Sequence, residues 1–101
     1  MARVLFRFPE KLEGSDGVVY TARACAAPFG HIWEGWIEFV PLTRGRVLTS
    51  PRETTQPNFQ DVLYWATGLS RVYLEGALDR AEHPRPRVGL RTSRGRARRS
   101  A

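Results

Sequence analysis

The chain is poor in the residues that carry soft-ligand or amine chemistry: 101 residues hold one cysteine, one lysine, one methionine and two histidines. The lone Cys25 cannot close an internal disulfide, and with only His31 and His83 beside it there is no zinc-type ligand set at any spacing. The single lysine, Lys11, follows no glycine-rich loop and precedes no serine or threonine, which excludes a Walker-type nucleotide site. Long apolar runs are missing as well. The opening MARVLFRFPEK is broken by Arg7 and Pro9, so it lacks a signal-peptide core, and no stretch approaches the roughly 20 apolar residues of a membrane span. These absences lead to the expectation of a cytoplasmic protein with no membrane partner and no cofactor.

What the chain has in excess is arginine, and its placement matters more than its sum. The formal charge is +6. Residues 1–83 carry nine cations against all ten acidic residues, a net of −1, whereas residues 84–101 carry seven arginines and no acid, a net of +7. That last segment, PRPRVGLRTSRGRARRSA, has only Val88 and Leu90 as sizeable apolar groups. It cannot offset a backbone ordering entropy of about 1 to 2 kcal/mol per residue, so a disordered basic tail is expected after a single domain over 1–83.

Within the domain, residues 3–8 alternate with period 2, with Val4, Phe6 and Phe8 on one face and Leu5 and Arg7 on the other, which predicts a strand. KLEGSDG reads as a turn. Val18 to Ala26 predicts a second strand, with Arg23 on the face opposite Tyr20, and Pro28 and Gly30 punctuate the next turn. HIWEGWIEFVPL follows as the strongest strand: Trp33, Gly35, Ile37 and Phe39 alternate with Glu34, Trp36, Glu38 and Val40. Arg46 to Thr49 can add a short fourth. Short connections favour an antiparallel meander.

The period then changes. Phe59, Val62, Leu63 and Ala66 share a helical stripe with Trp65 at its margin, Asn58 is a good N-cap, Asp61 adds a carboxylate to the first turn, and Gly68 sits where a C′ glycine is expected. From Ser70 a second helix buries Tyr73, Leu74, Ala77, Leu78 and Ala81, although Gly76 in its middle leaves a strand over 72–78 as a rival. The expected fold is therefore α+β: a four-stranded antiparallel meander followed by two helices packed on one face.

Three groups of residues invite a functional reading. The stretch PRETTQPN ahead of the first helix could form a pocket for a phosphate or carboxylate, with Arg52, Glu53, Thr54, Thr55, Gln56 and Asn58 around backbone N–H groups. Its structural alternative has Thr55 and Asn58 capping the helix and Arg52 paired with Glu53, Asp61 or a strand glutamate. Glu34 and Glu38 project from one strand face as acid/base carboxylates do, a role that needs one of them desolvated with a raised pKa. The alternative is a solvated face on which they pair with Arg23 or Arg7. Trp36, on that face, and Tyr64, off the apolar stripe of its helix, are candidate partner anchors. Cys25, flanked by alanines, reads as a buried structural thiol. The tail arginines, Arg94, Arg96, Arg98 and Arg99 among them, could contact nucleic-acid phosphates without reading sequence.

The runs RETTQPN, YWATGL and VYLEGAL, together with WEGWIEFVP at 33–41, resemble a motif of small uncharacterised bacterial proteins; the match spans Arg52 to Ala81. The resemblance implies a stand-alone bacterial domain and supplies no catalytic residue, and the basic tail lies outside its pattern. The expected function is a non-catalytic binding or regulatory module for a protein or small anionic ligand. Non-specific nucleic-acid binding through the tail is the alternative, and a small hydrolase or isomerase using Glu34 or Glu38 the third.

Overall fold

The first strand runs past the proline that ought to have stopped it. In the computed structural model, which describes residues 1–84, β1 covers Arg3–Glu13 and tolerates Pro9 because β1 is a sheet edge and is irregular between Arg7 and Lys11. A second irregularity between Val4 and Phe6 corrects the sequence reading. An inserted residue shifts the alternation, so Val4 pairs with Cys25 while Phe6 pairs with Ala24, and the two face opposite sides of the sheet. Only the segment from Gly14 to Val18 remains as a turn, closed by Gly14 and Val18 main-chain groups at 2.8 Å.

The middle of the sheet follows the alternation closely. β2 (Val19–Phe29) and β3 (Ile32–Pro41) pair over ten residues, and the tight turn between them places Gly30 at a φ of 61°, a conformation glycine takes without strain. β4 is short, Leu48–Thr49, and pairs with β3. The sheet order is β1-β2-β3-β4, all antiparallel.

A fifth strand, β5 (Thr54–Gln56), stands where the sequence suggested a loop. It pairs with β3 on the same edge as β4, Thr54 opposite Gly35 and Thr55 opposite Glu34. The backbone between them stays tied to β3: Ser50 N donates to Ile37 O and Glu53 N to Gly35 O, both at 2.8 Å. Ser50 Oγ also accepts from Ile37 N at 3.0 Å, taking the place of a ladder carbonyl. β4 and β5 are thus one edge strand interrupted by a bulge over 51–53, where Pro51 removes no needed donor. Prolines on both sides of a three-residue strand hid it from a period-2 search.

Two helices cover one face. α1 (Phe59–Thr67) starts at Asn58, whose Oδ1 accepts from Asp61 N at 2.9 Å, and stops at Gly68, whose φ of −99° shows that the expected left-handed glycine is not used. α2 (Arg71–Glu82) starts at Ser70 and settles 72–78 as helix, burying Leu74, Ala77, Leu78 and Ala81. These pack on Phe8, Leu12, Tyr20, Ala22, Ala24, Ile37 and Phe39. The small residues matter: a Cβ at Gly35 would lie 2.7 Å from the Trp65 ring, so only glycine lets α1 approach there.

Candidate functional site

Because β3 alternates, the side chains left on the uncovered face form rows across the strands. Val4, Cys25 and Trp36 make an apolar row; on one side of it lie Arg7, Arg23, Glu38 and Thr49, and on the other Ala27, Glu34 and Thr55. Lys11, Thr21 and Val40 form a fourth row beyond the charged one. Glu38 ties the first two rows together. It accepts from Arg23 Nε at 2.8 Å and from the Trp36 indole Nε1 at 3.1 Å, which fixes the ring on the sheet. Burial would push the Glu38 carboxyl up, but the hydrogen bonds from Trp36 and Arg23 and the Arg23 charge outweigh it and hold the group below its ordinary value. General-acid chemistry needs the opposite shift.

Cys25 lies on this uncovered face yet is only 3% exposed, with Val4 and Trp36 as its cross-strand neighbours. Burial first, and the Glu38 charge second, push its thiol up to about 11. It is a packed thiol, since nucleophilic cysteines need a lowered pKa.

The PRETTQPN stretch is divided by the bulge. Arg52 points to the uncovered face and its Nη1 donates to Glu34 Oε2 at 3.1 Å. Glu53 turns the other way, under α2. Its side chain is 5% exposed and accepts from Tyr73 Oη at 2.6 Å and from Arg80 twice, at 2.7 and 3.1 Å. Burial would raise the Glu53 carboxyl; the Arg80 and Tyr73 hydrogen bonds prevail and lower it. Burial and then the Glu53 hydrogen bond push Tyr73 up to about 12. Thr54 and Gln56 bond each other at 2.8 Å on the helix side, and Asn58 caps α1. Thr55 lies in β5 and is no helix cap.

The proposed residues therefore fall into two sets. Arg52, Thr55 and Trp36 share the uncovered face, while Glu53, Thr54, Gln56 and Asn58 serve the helix side. Tyr64 joins neither: it stands 82% exposed on α1, across the sheet from Trp36. Arg94, Arg96, Arg98 and Arg99 lie outside the described residues, as does the basic tail. An open groove of about 820 Å³ passes between the edge bulge and the end of α2, lined by Glu34, Ser50, Arg52, Arg80, His83 and Pro84 among others. No sequence signal pointed to it, because it depends on the bulge and on where α2 ends.

One group of metal-type ligands also escaped the sequence reading. Asp79, Glu82 and His83 bring ligand atoms within 4.8 Å of one another, a consequence of helical spacing. Glu82 already accepts from Ser15 N at 2.9 Å and His83 lies 3.4 Å from Asp79, so these groups have local partners. Among the described residues, no helix is long and apolar enough to cross a membrane. No protein-family model, curated protein or solved structure matches the chain.

Proposed function

We propose that this chain is a non-catalytic binding module of the bacterial cytoplasm, and that its recognition surface is the uncovered face of the sheet. The observation that carries the reading is Trp36, an indole held on a single-layer face by Glu38 and flanked by the Arg23–Glu38 and Arg52–Glu34 pairs. Tryptophan and arginine side by side are the residue types that anchor partners, because they bring large area and oriented donors with little rotamer entropy to lose. The catalytic alternative finds less support. Both strand carboxylates are ion-paired, Glu38 is held ionised, and Cys25 is held protonated.

Amide chemical shifts of the labelled full chain, titrated with oligothymidylate, polyglutamate and inorganic phosphate in turn, test the reading. Shifts clustered at Val4, Arg7, Arg23, Trp36, Glu38 and Arg52 are expected with one of these probes. Shifts confined to Tyr64 and the outer side of α1, or no shifts with all three, would overturn it.

A further inference from the structure

We infer that the partner of this face is single-stranded nucleic acid, with a base stacked on Trp36 and phosphates held by Arg7, Lys11 and Arg52. The inference rests on the binding-module reading above and names the ligand class of the same face. Charge is the first argument. Arg7, Lys11, Arg23 and Arg52 belong to the face against Glu13, Glu34 and Glu38, so it carries an excess of one cation while the whole of residues 1–83 nets −1. Arg7 is exposed, and neither Arg7 nor Lys11 has a carboxylate partner among the described residues. An unpartnered Arg7 in the row next to a pinned aromatic ring, with Lys11 one row beyond, is an arrangement that a phosphodiester chain with splayed bases can use.

Continuity is the second argument. The groove lined by Arg52 and Glu34 at the rim of the face is also lined by Arg80, His83 and Pro84, where the described chain ends. The seven arginines of 85–101 follow directly in sequence, with no acid among them. Among the described residues the cationic groups thus run from Arg80 in the groove, through Arg52 at its rim, to Arg23 and Arg7 on the face. An extended polyanion can engage such a path at several points, whereas a short acidic segment would meet only part of it.

The test is fluorescence anisotropy of labelled oligothymidylate titrated with the full chain, its Trp36→Ala, Trp36→Phe and Arg7→Glu variants, and a variant with Arg94, Arg96, Arg98 and Arg99 replaced by alanine, each at several salt concentrations. Trp36→Ala should weaken binding roughly tenfold with the salt slope unchanged, and Trp36→Phe should restore most of it. Arg7→Glu, at an exposed position that folding does not require, should lower the slope by about one unit or more. Affinity that depends on the tail arginines alone, indifferent to Trp36 and Arg7, would overturn the inference. Binding of polyglutamate but not oligothymidylate through Trp36 would overturn the nucleic-acid partner and leave the binding module standing. If neither probe engages the face, both readings fall.

Discussion

The two faces of one sheet, built from alternating residues of the same three strands, obey different rules. Under the helices, Ala22, Ala24, Ile37 and Phe39 offer a smooth apolar bed with no polar group to satisfy. On the other side the same strands present Arg23, Glu34, Trp36 and Glu38, each held by a partner that is itself half in water. The centre of the covered face is set by volume, with pairing confined to the Glu53, Tyr73 and Arg80 group at its edge, whereas the uncovered face is set by pairing throughout. Stability should therefore respond to substitutions on the first, and recognition to substitutions on the second.

The sharpest check is Phe39→Ala, which empties a fully buried site and should lose about 4 kcal/mol in a denaturant titration, whereas Val40→Ala one residue on should lose about 1 kcal/mol or less. Equal losses would mean that something covers both faces. Gly35→Ala should cost about 2 to 3 kcal/mol, since the new methyl meets the Trp65 ring at 2.7 Å with little room to yield.

Glu53→Ala comes next, at about 2 kcal/mol, because it strands the Tyr73 hydroxyl and frees the Arg80 guanidinium. Its pH dependence has a definite sign. The Glu53 carboxyl is lowered on folding, so its contribution is present above the ordinary value of 4.5 and is lost as pH falls through the folded value. Glu53→Gln should flatten that acid limb in thermal melts. Tyr73 is raised from 10.0 to about 12, so its contribution is intact below pH 10 and lost as pH rises toward 12; Tyr73→Phe should remove that alkaline limb.

The smallest expected effect lies on the uncovered face. A double-mutant cycle of Arg23→Ala and Glu38→Ala should give a coupling of about 1 kcal/mol, as befits a half-exposed pair. A coupling several times larger would make that face a second core.

The sequence by itself determined the antiparallel meander, the alternation of β3 and the first helix with its start at Asn58, and it offered a second helix from Ser70 that only the structure chose over a strand at 72–78. Each is written in a local period or a cap, which neighbouring residues suffice to specify. It also set Cys25 among small apolar residues and confined the net positive charge to the arginines after His83. Only the tertiary structure decided the bulges. The one in β1 sends Val4 and Phe6 to opposite faces, and the one at 51–53 turns an apparent helix preamble into an edge strand, dividing Arg52 from Glu53. The pairings Glu53 with Tyr73 and Arg80, and Arg52 with Glu34, bridge 18 to 27 positions. No local pattern encodes such distances: they exist because a bulged edge, held by β3 through Ser50 and Glu53 backbone bonds, is pressed against the end of α2.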